Sequence, residues 1–337
     1  MRVFEGHSAD EAWHAAVAQF QTSTEVHRQA GRGGATRELL AASFVITDPT
    51  QRWVISRVPP MSVPFALVEV IGIIAGRQES SYLNFFNPRL PHFAGTGSIY
   101  PGAYGFRLRK HFGLDQLERA YAALARNADT RQAVLQIWDP VVDIPKPDGS
   151  PSTPDVPCNL CAMLKLRDGK LFWTQIMRSN DLFRGAPYNF VQFTVLQEVL
   201  AGWLGAGVGT YIHWSDSLHV YERDLARVAC SDSIPLPHND DSLLLPKAES
   251  DFMWSDLNDC VTELAREDLS KSELEEIAGR TKNRAAMNIL SIIAADSARR
   301  RGFADLAIEL SRLCTNPLLS LGWTRWQRRT AQRTTTR

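Results

Sequence analysis

The chain has 337 residues, with 37 basic and 37 acidic side chains and a net charge of zero. This balance excludes the strongly basic composition that is typical of a protein binding nucleic acid over its whole surface. No apolar run is long enough to cross a bilayer, the amino-terminal segment lacks the order of a secretory signal, and five scattered cysteines predict no disulfide pattern. We therefore expect a globular, cytoplasmic protein that binds no membrane.

The first part of the chain predicts helices and strands in alternation. Ser8 can cap a helix that continues to about Phe20. The Gly-rich segment 31–40 predicts a basic loop, and "AASFVITD" and "RWVISRV" predict two strands around a Pro-Thr turn. The stretch 65–76, "FALVEVIGIIAG", predicts a buried helix that Gly76 ends. A loop-rich, aromatic stretch follows, from "NFFNPRLPHF" to "GAYG".

The centre of the chain gives the clearest pattern. "GLDQLERAYAALARN" predicts an amphipathic helix and "RQAVLQIWDP" a strand. Two alternating strands then flank Asp168-Gly169, which is a strong signal for a hairpin. Pro187 and Gly205 bound an apolar helix, and "GTYIHWSDSLHVYERD" contains one more strand.

The texture of the sequence changes after Asp232. "SIPLPHNDDSLLLPK" predicts a linker, and the stretch 251–312 is mostly helical, with a capped helix start in "SKSELEEIAGR". We interpret the basic tail "WTRWQRRTAQRTTTR" as a frayed, solvated terminus in preference to a segment that docks on an anionic partner. The sequence thus predicts an α+β core over residues 1–232 and a linker with a mostly helical carboxyl-terminal extension over 233–337.

Cys158 and Cys161 form a C-x-x-C in "PDVPCNLCAML". A zinc site needs a second pair of ligands at matching spacing, and the other cysteines are isolated, so no metal is indicated. A thioredoxin-type pair opens a helix, whereas this pair enters a strand, in which positions three apart point to opposite faces. Cys161 is then a buried small hydrophobe, and Cys158 on residue type alone is an inert thiol.

Polar side chains downstream of Cys158 favour a different interpretation. "MRSND", "GAPYN" and "SLHVY" contribute an arginine, a serine, an acid, an amide, an imidazole and a phenol. Charge suits a phosphate, hydroxyl donors suit a sugar, and an amide suits the edge of a base. The combination indicates a nucleotide site around one thiol.

The order P-C, R-S-x-D, G-x-P-x-N and H-x-Y resembles thymidylate synthase and its relatives, the pyrimidine nucleotide hydroxymethylases. The resemblance extends from about Gly31 to Asp224 and is most specific between Pro157 and Asn189. It implies the thymidylate-synthase-like fold, a mixed β-sheet with flanking helices, and an obligate homodimer with shared active sites. The co-substrate that it implies is 5,10-methylenetetrahydrofolate.

The resemblance also implies catalytic roles for individual residues. Cys158 would be the thiolate that attacks C6 of a pyrimidine nucleotide, with Arg178 lowering the thiol pKa from its usual value of about 8.5. Glu69 would be the acid/base residue that organises water, and it would also contact the folate. Tyr104 would join a proton relay at C5, and Asp181 would orient the pterin.

The remaining roles concern binding. Arg32, Arg178 and Ser179 would hold the phosphate, together with Arg131 of the partner subunit. His219 and Tyr221 would contact the ribose hydroxyl, and Asn189 would contact the base. Gly185, Asp181 and Glu69 would contact the folate.

Four departures from the synthase pattern stand out. Asn159 replaces the histidine that follows the cysteine, Gln132 replaces a second phosphate arginine, and "NFFNPRLPHF" has no tryptophan where the synthase covers the reacting carbon. The chain also continues for over a hundred residues beyond H-x-Y. "MRSND" and "SLHVYERD" are closer to the hydroxymethylase branch, which includes actinobacterial enzymes of nucleoside-antibiotic pathways.

Base and sugar preference follow from two positions. Cytosine-specific relatives carry Asp where this chain has Asn189, and an amide suits uracil because it donates to O4 and accepts from N3–H. Ser179 matches the users of deoxynucleotides. The first hypothesis is therefore hydroxymethylation of a uracil nucleotide, preferably dUMP. The alternatives are a true thymidylate synthase, a CMP or dCMP hydroxymethylase, and, least favoured, a non-catalytic dimer that binds a nucleotide or RNA.

Overall fold

A seven-stranded mixed sheet lies at the centre of the computed structural model, which describes residues 2–22, 26–31, 33–229 and 234–334. The strands are β1 (Arg2–Gly6), β2 (His27–Gly31), β3 (Gly34–Ile46), β4 (Val134–Gln136), β5 (Asn159–Arg167), β6 (Lys170–Asp181) and β7 (Gly207–Tyr221). Their order is β1-β3-β7-β6-β5-β4, with β2 paired to β3. The β1–β3 and β6–β7 pairs are parallel and the others are antiparallel.

Helices surround this sheet. They are α1 (Ala9–Thr22), α2 (Val63–Ile74), α3 (Ser80–Phe86), α4 (Pro91–Ala94), α5 (Tyr104–Phe106), α6 (Gln116–Arg126), α7 (Pro140–Asp143), α8 (Ala186–Trp203), α9 (Glu222–Ala229), α10 (Lys247–Leu264), α11 (Lys271–Ala278), α12 (Arg284–Arg300), α13 (Ala304–Ser311) and α14 (Pro317–Thr334). A π-helical turn over Arg107–His111 follows α5. The predicted α+β class, with a mixed sheet and a helical carboxyl-terminal part, is confirmed.

The central elements form where the sequence predicts them. β5 and β6 make the hairpin, and Asp168 and Gly169 both adopt the left-handed conformation, with φ of 49° and 70°, that a tight hairpin turn requires. A β-bulge between Asn159 and Cys161 interrupts the pairing at the start of β5. α8 begins one residue before Pro187 and ends before Gly205. The hairpin and α8 together place the polar motifs at the same end of the sheet.

Helix α2 is almost entirely apolar and lies between α8 and the carboxyl-terminal helices. The Ser62 side chain caps it by accepting from the amide of Phe65, and Gly76, with φ of 67°, lies just beyond its end. α8 packs on one part of α2, and α10, α12 and α14 pack on others. The side chain of Glu69 is therefore presented from a helix that has protein on several sides.

Two predictions for the amino-terminal part are wrong. The segment predicted as a loop is largely strand, because Gly31 ends β2 and residues 34–40 begin β3. The stretch 52–58 is irregular and buried as far as Arg57, and at Ser56 side chains contact the backbone amide and carbonyl. The carboxylate of Asp10 accepts from both the amide and the hydroxyl of Ser56, and Arg325 donates to the carbonyl of Ser56. The strand β1 and the helix α9 had not been predicted.

The carboxyl-terminal helices share one apolar core with the sheet. The amide of Leu243 donates to Glu198 on α8 at 2.7 Å, and Asn316 donates to Asn239 at 2.6 Å, so polar contacts join the linker to both parts. The Ser270 capping box at the start of α11 is present as predicted. The predicted boundary at residue 232 lies outside the described residues.

The prediction of a frayed tail is wrong, because α14 continues to Thr334. Trp323 is only 2% exposed, and Gly322 lies against Val63 and Ile55 in the core. Apolar burial thus orders the basic segment that composition had suggested would be solvated. Over the described ranges, none of the helices has both the length and the apolar character needed to cross a membrane.

Candidate active site

Cys158 and Arg178 lie side by side where β5 begins and β6 approaches its end. The Arg178 amide donates to the Cys158 carbonyl at 3.0 Å, and Nη2 of Arg178 is 3.9 Å from Sγ of Cys158. The same guanidinium donates to the carbonyls of Val156 and Pro157 at 3.1 and 3.0 Å. Three contacts with one short segment fix the cation against the thiol, and a cation in this position favours the thiolate over the thiol.

Cys161 has a different environment. Within the described part of the chain no cysteine forms a disulfide, so Cys158 and Cys161 are not joined. Cys161 is half-buried, and burial raises the pKa of its thiol. Cys158 precedes β5, and the β-bulge between Asn159 and Cys161 interrupts the regular alternation from which the divergence of the two thiols was predicted. A raised pKa makes Cys161 a poorer nucleophile at neutral pH.

The end of β6 and the end of β7 bring the other polar groups together. The parallel register places Asp181 beside His219, and the Ser179 hydroxyl lies 3.4 Å from Nδ1 of His219. The ring of Tyr221 is 5.7 Å from that of His219, centroid to centroid. A Cβ on Gly33 would come within 3.0 Å of the Tyr221 ring, so the glycine permits the close approach of the β2–β3 turn.

Asp181 is held rigidly at the turn between β6 and α8. One of its carboxylate oxygens accepts from the amides of Phe183 and Arg184 at 2.8 and 2.9 Å. Burial raises the pKa of Asp181, while these amide contacts and nearby His219 act in the opposite direction. Gly185 follows, and a Cβ there would lie 3.1 Å from Oδ1 of Asn180, so a larger residue would crowd Asn180.

Asn189 is buried on the first turn of α8. Its amide nitrogen lies 3.4 Å from Oδ1 of Asn180 and 3.6 Å from the sulfur of Met177. Asn180 in turn contacts His213 and Ser215 on β7. The amide predicted to contact the base therefore rests on a second layer of buried polar groups.

Glu69 and Tyr104 are two buried titratable groups that are close enough to interact electrostatically. Burial raises the pKa of Glu69 to about 8, and a hydrogen bond with Gln192 only partly opposes the shift. Within the described residues Oε2 of Glu69 is shielded from solvent and has no hydrogen-bond partner. Burial also raises the pKa of Tyr104, which hydrogen-bonds with Asn159 and is close enough to Cys158 to interact electrostatically with it.

An aromatic segment lies beside this cluster. The Arg184 guanidinium is positioned over the ring of Phe93 at 5.9 Å and over that of Tyr221 at 5.5 Å. The hydroxyl of Tyr100 donates to the side chain of Asn84 at 2.5 Å. From the carboxyl-terminal part, Arg301 is positioned over the ring of Phe85 at 4.9 Å. The extension thus supports the segment in which the synthase would carry tryptophan.

One predicted phosphate ligand, Arg131, is not part of this cluster. Arg131 is exposed in the bend before β4, and Arg32 lies outside the described residues. The structure brings together nine of the other predicted residues, which are Cys158, Arg178, Ser179, Asp181, Gly185, Asn189, His219, Glu69 and Tyr104, with Tyr221 at the edge.

Sequence reasoning missed three contributors. Arg184 pairs with buried Asp224 at 2.7 Å while it lies over Phe93 and Tyr221. Asn180 and His213 support Asn189 from behind. The strand period of two would have placed His213 on the buried face with Ser215, but a histidine on such a face is usually a core residue, so the pattern alone did not select it.

The comparisons with known proteins agree with this geometry. The family described as "Thymidylate synthase" matches residues 55–236 of the chain. That span is more than half of the sequence and includes Glu69, the Cys158 segment and the β6–α8–β7 cluster. The chain belongs to the thymidylate synthase family.

Three phage proteins are similar to the chain, and each is named deoxyuridylate hydroxymethyltransferase. The Bacillus phage SP01 protein is 32% identical over 257 residues, which is 69% of this chain and 66% of the phage protein. The Pseudomonas phage M6 protein is 39% identical over 49% of this chain and 46% of its own length. The Delftia phage PhiW-14 protein is 32% identical over 57% of this chain and 55% of its own length. The chain thus spans about half to two thirds of these relatives.

Proposed function

We propose that the protein hydroxymethylates C5 of a uracil nucleotide, preferably dUMP, with 5,10-methylenetetrahydrofolate as the one-carbon donor. The observation that carries the proposal is the Cys158 thiol held 3.9 Å from the Arg178 guanidinium at the edge of a buried polar cluster. The names of the three phage relatives agree with it.

The thiol is needed because C5 of uracil is a weak nucleophile. Addition of the Cys158 thiolate at C6 forms a carbon–sulfur bond and moves the ring electrons onto C5 and O4, which gives an enolate that attacks through C5. Methylenetetrahydrofolate supplies the one-carbon unit that C5 attacks. The amide of Asn189 donates to O4 and stabilises the charge that develops there. Loss of the C5 proton, through Tyr104 and water, accompanies cleavage of the bond between the transferred carbon and the folate nitrogen and leaves an exocyclic methylene on C5. Addition of water to that methylene and expulsion of the Cys158 thiolate complete the cycle.

The buried groups of the chain fit a pterin and a pyrimidine placed together. Oε2 of Glu69 and Oε1 of Gln192 are shielded from solvent and have no hydrogen-bond partner within the described residues. Buried polar atoms in that condition cost free energy unless a ligand or water satisfies them. Glu69 protonated near neutral pH can donate as well as accept, and Asp181, fixed by two amides, can orient an N–H of the pterin. Gly185 leaves room beside it.

The nucleotide would lie along the ends of β6 and β7. Ser179 and Arg178 would hold its phosphate with Arg32, and His219 and Tyr221 would bind the ribose hydroxyl. Arg184, which pairs with buried Asp224, lies over the Tyr221 ring and supports it at this position. The partner subunit's Arg131 would complete the phosphate site, which makes a homodimer part of the proposal.

The outer face of the sheet supports the dimer. Ile176, Ile212 and Trp214 are partly exposed and lie on one face, since Ile176 pairs with Trp214 in the parallel register and Ile212 is two residues from it. A cluster of partly exposed apolar side chains on a sheet is typical of a surface that another subunit covers.

The product depends on whether water or hydride adds to the one-carbon unit on C5. After the folate leaves, the exocyclic methylene on C5 is electrophilic, and it can accept hydroxide from water or hydride from the folate. Hydride transfer needs a dry, close contact. The segment 84–93 contributes Phe85, Phe86 and Phe93 but no tryptophan, and His92 adds a polar group. We propose that water adds.

The test is a product assay with dUMP, UMP, dCMP and CMP, each with methylenetetrahydrofolate, read by mass and by the ultraviolet absorbance of dihydrofolate. We expect dUMP to give a product heavier by a hydroxymethyl unit without formation of dihydrofolate. A methylated product with stoichiometric dihydrofolate would identify a thymidylate synthase instead. Turnover of CMP or dCMP in preference to dUMP would contradict the assignment of Asn189.

A further inference from the structure

Four polar side chains form a buried row behind the base-contacting amide. Asn189, Asn180, His213 and Tyr211 are all 6% exposed or less. Nδ2 of Asn189 lies 3.4 Å from Oδ1 of Asn180, Nδ2 of Asn180 lies 3.0 Å from Nε2 of His213, and Nδ1 of His213 lies 2.7 Å from the Tyr211 hydroxyl. The thiolate mechanism proposed above assigns no role to Asn180, His213 or Tyr211.

The direction of the hydrogen bonds in this row is defined. The Asn180 nitrogen donates to the Ser215 hydroxyl at 3.2 Å and faces Nε2 of His213, so Nε2 must accept. Burial lowers the pKa of His213 to about 3, and the ring is neutral with a single proton. That proton is then on Nδ1 and is donated to Tyr211. With its nitrogen engaged, Asn180 offers only its oxygen to Asn189.

We propose that Asn180 and His213 are positioning residues that set the base preference of the site by fixing which end of the Asn189 carboxamide faces Asn180. This inference rests on the proposed function. It assigns to the buried row a role in specificity beyond its contribution to packing.

The consequence for the base follows from the geometry of a primary amide. Nδ2 of Asn189 lies 3.4 Å from Oδ1 of Asn180 and 3.6 Å from the Met177 sulfur. A thioether sulfur is only a weak acceptor, so the second N–H and the oxygen of Asn189 form the edge that can contact a base. In this orientation the edge donates to O4 and accepts from N3–H of uracil. Cytosine presents the reverse pattern, a donor at its amine and an acceptor at N3. Binding cytosine would require the Asn189 amide to turn over, which would put its oxygen against the oxygen of Asn180.

A matched control exists on the same helix as Asn189. Gln197 is fully buried, and its Nε2 donates to the carbonyls of Leu171 and Gly209, both at 2.8 Å. It supports the sheet as Asn180 does but lies two turns along α8 from Asn189. Replacing it should destabilise the protein without changing the choice of base, so Gln197→Leu separates a structural effect from a positioning effect.

The experiment compares the ratio of kcat/KM for dUMP to that for dCMP in the wild type, Asn180→Leu, Asn180→Asp and Gln197→Leu. We expect Asn180→Leu to lower the ratio about tenfold, since a mispaired buried polar edge is no longer excluded. Asn180→Asp retains an acceptor for Asn189 and should keep most of the ratio. Gln197→Leu should keep the ratio and lower the melting temperature. An unchanged ratio in Asn180→Leu would overturn the proposal.

If Asn180→Leu does not fold, His213→Phe removes the acceptor that orients Asn180, and the same fall in the ratio is expected.

A readout that is independent of turnover is the tautomer of His213 in the full-length wild type, measured by ¹⁵N NMR. Protonation at Nδ1 supports the proposed direction of the row, whereas protonation at Nε2 overturns it.

Failure of the proposed function would be seen separately. A wild type that converts none of the four nucleotides would contradict that function. The inference would then be judged on equilibrium binding of dUMP and dCMP by the same variants. Equal binding of both nucleotides by the wild type would overturn it, and a preference for dUMP that Asn180→Leu removes would support it.

Discussion

Arg178 contacts Cys158 through both its backbone and its side chain. The Arg178 amide donates to the Cys158 carbonyl at 3.0 Å, and the guanidinium lies 3.9 Å from the sulfur. The backbone hydrogen bond fixes the register between the two strand ends. It thereby also fixes the position of the guanidinium beside the sulfur. The cation is therefore part of the scaffold around the thiol, and it does not depend on a ligand to bring it there.

This arrangement predicts that the two cysteines of the C-x-x-C are not equivalent. Cys158→Ala should abolish turnover and leave nucleotide binding largely intact, because the sulfur forms the covalent bond while other groups supply affinity. The matched variant Cys161→Ala removes a half-buried thiol with a raised pKa, and it should cost some stability and little activity. Turnover and nucleotide binding are measured for both. Equal loss of turnover in the two variants would restore a paired-thiol mechanism.

The raised pKa of Glu69 predicts a pH-dependent stability. The folded pKa is about 8 and the unfolded value is near 4.5, so between these values the folded chain holds a proton that the unfolded chain has lost. The stability that this group contributes is complete below pH 4.5 and is lost as the pH rises toward 8, by at most about 1.4 kcal/mol per pH unit.

The measurement is urea unfolding of the wild type and Glu69→Gln between pH 5.5 and 8.5. The amide of the variant has nearly the shape of the carboxyl group but cannot ionise, so the comparison isolates the titration of this one side chain. We expect the wild type to lose stability relative to Glu69→Gln as the pH rises, with the difference levelling above pH 8. Parallel curves for the two proteins would show that the carboxyl ionises normally.

The sequence predicted the centre of the molecule better than its ends. The Asp168-Gly169 turn, the Pro187 start of α8 and the Ser270 capping box depend on short-range chemistry, and each is present in the structure. The stretch 52–58 has strand-like residues but joins none of the described strands, and Asp10 and Arg325, distant in sequence, contact the backbone amide and carbonyl of Ser56 within it. Such long-range contacts leave no mark on a local pattern.

The site shows the same division. Motif residues such as Ser179, Asp181 and His219 could be found because a family resemblance links them, and their contacts follow from the strand register. Asn180 and His213 have no motif, and only the packing of α8 on β6 and β7 reveals that they support Asn189. The order of α14 likewise depends on the burial of Trp323, which its basic composition conceals.

A shared active site predicts recovery of activity on mixing two inactive variants. Arg131→Ala and Cys158→Ala should each lose activity as homodimers. In a mixed dimer, one site combines the intact Cys158 of one chain with the partner subunit's Arg131, and is complete. Subunit exchange should therefore restore roughly a quarter of the wild-type activity, since about half of the dimers are mixed and each has one working site.

The control mixes Cys158→Ala with Arg178→Ala. Both residues belong to the same chain's site, as their 3.9 Å contact requires, so each mixed dimer retains no complete site. Activity is assayed after exchange under mild denaturant, with the oligomeric state followed by sedimentation. The shared site would be contradicted if activity were recovered in the control mixture and not in the mixture of Arg131→Ala with Cys158→Ala. It would also be contradicted if the protein were a monomer at all concentrations.

The carboxyl-terminal helices should be essential for folding of the chain. A protein ending at residue 232 would lose α10, α12 and α14 from the surface of α2, and would expose an apolar helix to water. We expect the full chain to unfold in one cooperative transition by calorimetry, and the 1–232 fragment to be insoluble or unfolded. A soluble fragment with its own cooperative transition would show instead that residues 233–337 form an independent unit.

Two aromatic side chains of the extension provide a graded form of the same test. Trp323 on α14 is 2% exposed, whereas Phe252 on α10 is 77% exposed. Trp323→Ala should lower the free energy of unfolding by about 3–5 kcal/mol, as expected for a large side chain removed from a core, and Phe252→Ala by less than about 0.5 kcal/mol. Both values come from urea unfolding at one pH.

The same two variants should also differ in activity. Because α14 packs directly on α2, Trp323→Ala should weaken the support of Glu69, and the activity of this variant should fall with its stability. The activity of Phe252→Ala should not fall. A stable, fully active Trp323→Ala protein would mean that the sheet and α2 fold without help from α14.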